Sequence, residues 1–348
     1  MKKKILFLCI PIFYSLGIFA QGAPACPSIN AGSPQTICQG NCATLTASVV
    51  SNNQTTGYSV SAIPYVPYPY TGTPILVGAD DVWSTTVNLG FNFCYFGNYY
   101  NQAVLGDNGQ LTFDLTQASG YDNWMLSTTL PNTTDLPGNT ICAAFRDMDQ
   151  GLGGNSYIET LGTAPCRALV MSWVNVPLFD NGNGTCDGTP NSYVQLVLYE
   201  NTNYIDVYIG NSYSCSAWNG GAGIVGIQNA AGTAAVVAPG RNYPAAWTAN
   251  NEAWRFSPTG APSYTITWTG PSGIVGTGTS VSVCPTTTST YTATMKVTNC
   301  DGASTNYTNT VTVNVNPNTP TTVSPTNPTV CNGAGSVALT ATGSGTFS

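Results

Sequence analysis

The 348-residue chain contains no histidine. That absence removes the base of Ser-His-Asp and Cys-His triads, the HEXXH zinc proteases and every His-ligated metal centre. Charge is nearly as scarce: Asp, Glu, Lys and Arg together make up 7% of residues, where about 25% is ordinary. Eight basic side chains stand against fifteen acidic ones, a formal charge of −7. A nucleic-acid partner requires the opposite sign of field, so that class is excluded. Three of the lysines are Lys2, Lys3 and Lys4, and only Lys296 lies elsewhere. No window of amphipathic helical period survives 37 Gly and 23 Pro, and beyond residue 20 no apolar run is long enough to span a bilayer.

What the sequence does contain begins with an address. Lys2 to Lys4, the apolar stretch 5–19 and small residues around Ala20 to Ala25 form the pattern of a secretory signal over residues 1–20. Broken by Pro11, Ser15 and Gly17, the stretch falls short of the roughly 20 residues a membrane span needs. The expectation is Sec export from a bacterium to the cell surface or medium, without membrane insertion after the signal is removed. Of the twelve cysteines, Cys9 lies in that signal. The others, with no CxxC pair and no His, point to disulfides rather than zinc. Their odd number and the position of Cys331 suggest a partner past residue 348, and therefore the N-terminal part of a longer protein.

A repeat organises the rest. Cys38-Gln39-Gly40 followed by Leu45-Thr46-Ala47 recurs as Cys331-Asn332-Gly333 followed by Leu339-Thr340-Ala341, with Pro34 and Pro328 ahead. After Ser48 the pattern breaks off. Strands of the expected character resume at Tyr264 to Trp268, Ser280 to Val283, Thr290 to Val297 and Asn309 to Val315, separated by turn clusters. The fold class this predicts is all-β: an Ig-like β-sandwich, discontinuous in sequence, built from 26–57 plus 261–316. Residues 58–258 form a β-rich insert, 317–328 a Pro/Thr/Asn linker, and 329–348 the start of a further repeat. In this arrangement Cys38 pairs with Cys300 and Cys42 with Cys284, leaving Cys26, Cys94, Cys142, Cys166, Cys186 and Cys215 unassigned.

Within the insert, Ile141 to Asp149 (ICAAFRDMD), Tyr157-Ile158, Met171 to Val176 (MSWVNV), the hairpin Ser192 to Gly210 and Gly223 to Gly232 (GIVGIQNAAG) follow one another in a fixed order. This order resembles the nidogen-like extracellular domain over about residues 75–256, with Arg146 where that family commonly has an aromatic or small residue. The flanking segments, carried by Ile37 to Gly40, Trp268 to Pro271 and Ser282 to Thr288, are similar to the Ig-like or PKD-like repeats of Bacteroidota surface proteins of the type IX, gliding-associated secretion route. The resemblance implies a cell-surface adhesin.

The chemistry-bearing residues are few. Asp147 and Asp149, two apart, are able to chelate calcium with carbonyls of the Gly151 to Gly154 loop. Capping the N–H groups of that turn is the preferred account, since calcium takes 6–8 oxygens and only two side chains are at hand. Asp80 and Asp81 suit a loop, and Asp180 to Gly188 lacks EF-hand spacing. The three glutamates, Glu159, Glu200 and Glu252, are too scattered for a glycosidase pair. No nucleophile has a base, so an enzyme is not expected and no cofactor other than calcium is implied. Tyr65, Tyr68 and Tyr70 alternate with prolines in a stiff segment. Among aromatics near Gly/Asn-rich loops, Tyr121, Trp124, Trp218 and Trp247 are the candidate ligand-binding residues, whereas Trp173, Trp254 and Trp268 suit the core. The expected function is adhesion to a cell-surface or matrix protein or glycan. The alternative is a carbohydrate-binding or accessory module of a polysaccharide-degrading enzyme.

Overall fold

The computed structural model describes residues 26–50, 53–180, 185–317, 322–324 and 340–342. The signal segment, most of the linker and Cys331 lie outside the described residues. No α-helix occurs among the described residues, and none is long and apolar enough to cross a membrane. The protein is all-β, as its alternating runs predict.

Two antiparallel sheets form the larger sandwich. One holds six strands in the order Ala235–Val237, Ile224–Gln228, Thr140–Phe145, Gln110–Thr112, Asn98–Gly106, Val87–Tyr95. The other holds seven: Tyr58–Ala62, Ala249–Pro258, Ile205–Ser212, Ser192–Tyr199, Ala168–Val176, Asn155–Leu161, Thr73–Ile75. Period-2 alternation turns Leu89, Phe91 and Phe93 inward from the first sheet and Met171, Trp173, Leu196 and Val207 inward from the second, into one core. Ala168–Val176 reads as a nearly unbroken apolar run because its outer face is covered too. Val170 and Val197 lie beneath Tyr68, whose backbone N–H and C=O bond to Gln195. The Pro/Tyr segment is thus a cover for the sheet.

The smaller sandwich unites the two ends of the described chain. Gln35–Cys38 runs parallel to Ser304–Asn316, at the edge of a sheet continuing through Ser289–Thr298, Tyr264–Gly270 and Gly273–Thr277. Ala43–Thr46 pairs antiparallel with Ser280–Val283. Leu45 from the early segment and Trp268, Met295 and Val313 from the late one share a single core.

Among the described residues there are four disulfides: Cys26–Cys166, Cys42–Cys284, Cys94–Cys300 and Cys186–Cys215. Cys42 meets Cys284 as expected, whereas the expected Cys38–Cys300 bond does not form. Cys38 pairs in register with Asn316, and Cys300 sits in the turn before Ser304, so the 13-residue strand lies between them. At 3.3 Å per residue that is roughly 40 Å, far beyond the reach of a disulfide. Cys38 is an exposed thiol, and Cys300 instead ties the smaller sandwich to the larger one through Cys94. Between the sandwiches lies a groove of about 480 Å³ lined by Asn, Thr and Ser side chains with Tyr264.

Candidate functional site

Thr140–Phe145 is buried along its whole length, and the chain leaves the sheet immediately afterwards. Arg146 and Asp147 follow, and single bridges join Met148 to Leu178 and Asp149 to Asp80. Asp147 and Asp149 therefore lie in the loop beyond the strand rather than on it. Beside them is the hairpin turn Asp107-Asn108-Gly109. Asn108 is its junction: its Nδ2 donates to Asp81 Oδ1 (3.2 Å), and its Oδ1 accepts from the Met148 N–H (2.7 Å). The segment Gly120–Asp122 is stitched on by Trp83 N–H to Gly120 O and Asp122 N–H to Asp81 O, both 2.9 Å. Six of the twelve aspartates, Asp80, Asp81, Asp107, Asp122, Asp147 and Asp149, are thereby drawn to one end of the larger sandwich.

Two glycines make the close packing feasible. A Cβ on Gly106 would lie 2.1 Å from Asp122 Oδ2, and Gly109 takes a left-handed φ of +82° at the hairpin turn.

The electrostatics are unbalanced. Elsewhere three acids have basic partners: Arg167–Glu200 (2.7 Å), Arg241–Glu252 (2.6 Å) and Arg255–Asp206 (2.6 Å). Among the described residues no ion pair reaches the six aspartates. Arg146, although adjacent to Asp147 in sequence, donates to Ser212 Oγ and to the carbonyls of Gly221, Ala222 and Trp247 instead. Burial and neighbouring carboxylates act in the same direction on the cluster. Asp147 is pushed up to about 8, by burial first and then by Asp81, Asp80, Asp107 and Asp149. Burial carries Asp107 to about 7 despite the Val82 N–H, and burial with Asp149 and Asp81 carries Asp80 to about 6. Asp122, fully buried and beside Asp107, rises well above the ordinary carboxylate range, by burial first and then by the Asp107 charge. Asp149 Oδ1 accepts the Gly151 N–H at 2.6 Å, the turn-capping role expected of it. Asp147 does not share that role: its Oδ1 is buried without a partner.

The candidate aromatics divide. Tyr121 is 61% exposed. Trp124 and Trp218 are half-buried and meet edge to face at 5.6 Å, with the Trp218 Nε1–H bonded to Phe179 O. Trp247 is not a contact residue. It is 6% exposed, its indole N–H donates to Gly223 O, and its ring lies 4.1 Å from the Arg146 guanidinium. Val77, Met125 and Leu152, which sequence reasoning passed over, stand exposed on the same tied loops. Also missed were Asp107 and Asp122. The Asp-Asn-Gly at 107–109 reads as a hairpin signal, which it is, and nothing local marks it as part of a cluster.

A family model described as NIDO related matches residues 57–271. No curated protein and no solved structure matches the chain.

Proposed function

Because a match over more than half of its length means that the chain belongs to the NIDO-related family, we propose that it is a non-catalytic adhesion or interaction protein acting outside the cell. The family is not a known catalytic one, and four disulfides suit an extracellular module. The observation that carries the reading is the loop end of the larger sandwich. There Tyr121, Met125, Leu152 and Val77 expose apolar surface on loops held by a rigid scaffold. Domain limits belong to the same proposal: 58–258 is presented by the sandwich made from 26–57 and 261–316. So do export of a bacterial precursor by residues 1–20 and passage along the type IX route.

The test is attachment of beads coated with the full chain to a laid-down protein matrix and to a glycan panel. Combined Tyr121→Ser, Met125→Ser and Leu152→Ser exchange is expected to reduce attachment at least about tenfold, the scale of losing a small hot spot. Attachment that survives it would remove this end as the contact. A second reading, a carbohydrate-binding accessory module, draws support from the polar groove between the sandwiches, whose size suits a small neutral ligand. Binding confined to one polysaccharide, insensitive to the loop exchange and lost with Tyr264→Ala, would favour it.

A further inference from the structure

Independently of which partner the loop end meets, the six-aspartate cluster gathers acids that have no ion pair among the described residues. Asp206 is wholly buried, and the fold brings it Arg255. Asp147 is 4% exposed, has no basic partner and keeps its buried Oδ1 with no hydrogen bond; Asp107, 0% exposed, also lacks a basic partner and is met only by the Val82 N–H and the Asp122 carboxyl. An ionised acidic oxygen buried without a partner is costly, so such a group keeps its proton unless a positive charge is brought to it. Four loops bring these groups together, so the arrangement comes from the tertiary fold and does not follow from any single turn.

We propose that this cluster binds a hard divalent cation, calcium in preference to magnesium, through the carboxylates of Asp81 and Asp147, with the charge of Asp80, Asp107 and Asp149 nearby. The donors are all oxygen, which selects a hard ion over zinc or copper. Among the described residues no three Asp, Glu, His or Cys side chains close on one point. The remaining ligands are therefore backbone carbonyls and water, a mixed and irregular set that calcium tolerates and magnesium does not. With so few carboxylates in direct contact, the affinity belongs to the weak extracellular range, about 10⁻⁴–10⁻³ M.

The experiment uses the full chain stripped by chelator, titrated with CaCl₂ or MgCl₂ and followed by calorimetry and thermal melting. The expected result is saturable heat and a raised melting temperature at about 1–10 mM calcium, with a smaller response to magnesium. Asp147→Asn should weaken calcium binding about tenfold or more, yet melt no lower than the parent without calcium, because it removes an unpaired buried carboxylate. Asp301→Asn, at the surface turn of the smaller sandwich, should bind as the parent does. Asp81→Asn provides the same test should Asp147→Asn fail to fold. Absence of heat and of any melting shift in the parent chain overturns the proposal. So does undiminished calcium binding in the Asp147→Asn and Asp81→Asn variants.

Discussion

Asp147 and Arg146 are neighbours in sequence and opposites in setting, and both lead to measurable consequences. Asp80, Asp107 and Asp147 titrate near 6, 7 and 8 in the folded chain, against about 3.9 when unfolded. Between these values the folded form binds more protons than the unfolded one, so stability is full below the unfolded value and falls as pH rises. Melting in chelator should therefore descend from about pH 4 to about pH 8, and a flat or rising profile would contradict the assignment. Asp114 and Asp135 act with the opposite sign. Burial raises both, but hydrogen bonds from Thr116 and Gln117, and from Asn132 and Ser127, outweigh it and hold them low, so stability is also lost in stronger acid. Arg146 is buried without a carboxylate, and burial lowers it to about 9. It stays because it satisfies three carbonyls and stacks on Trp247. Arg146→Met should cost about 2–4 kcal/mol in chemical denaturation by leaving those acceptors bare. Trp247→Ala should cost about 3–5 kcal/mol as a core truncation, which makes it a folding variant and unsuitable as a probe of ligand binding.

At the level of strands and turns, the closest constraint is Gly106, the last residue of Asn98–Gly106. Its missing Cβ makes room for Asp122, and its carbonyl accepts the Trp173 indole N–H. Gly106→Ala should destabilise the chain by about 1–3 kcal/mol, as overpacked sites do, and should shift the Trp173 fluorescence of the folded protein. An unchanged melting curve would show that the loop yields freely. The same elements show how much was legible beforehand. Tyr264–Gly270, Ser280–Val283 and Ser289–Thr298 announce themselves by strict alternation, because one face is wet and the other dry. Thr140–Phe145, dry on both faces, was legible only as an apolar run ending in Asp-x-Asp. The acid cluster was not legible, since its members span positions 80 to 149 and meet through sheet order rather than spacing. The cysteine pairing failed for a related reason: Cys38 and the turn that carries Cys300 lie at opposite ends of the long Ser304–Asn316 strand.

For the molecule as a whole, the decisive feature is where the disulfides cross. Cys26–Cys166 and Cys94–Cys300 join the two sandwiches, which also share the contacts Asn92 with Asp301 and Asn201 with Tyr307. In the chain-entropy account, closing loops of 140 and 206 residues is worth about 5 kcal/mol apiece at most. Cys42–Cys284 has a different consequence when the chain is stretched between its ends. Traction entering near residue 26 and leaving near residue 316 has its shortest covalent path through that bond, with a longer one running through Cys26–Cys166 and Cys94–Cys300, so most of the enclosed chain is bypassed. The adjoining Gln35–Cys38 and Val313–Asn316 segments, being parallel, would be loaded in shear, every hydrogen bond at once. In optical tweezers the oxidised chain should lengthen only by its short flanks, and reduction should release about 800 Å more, from 242 residues at roughly 3.4 Å each. The larger sandwich, shielded in this way, keeps its shape while the flanking chain is being pulled.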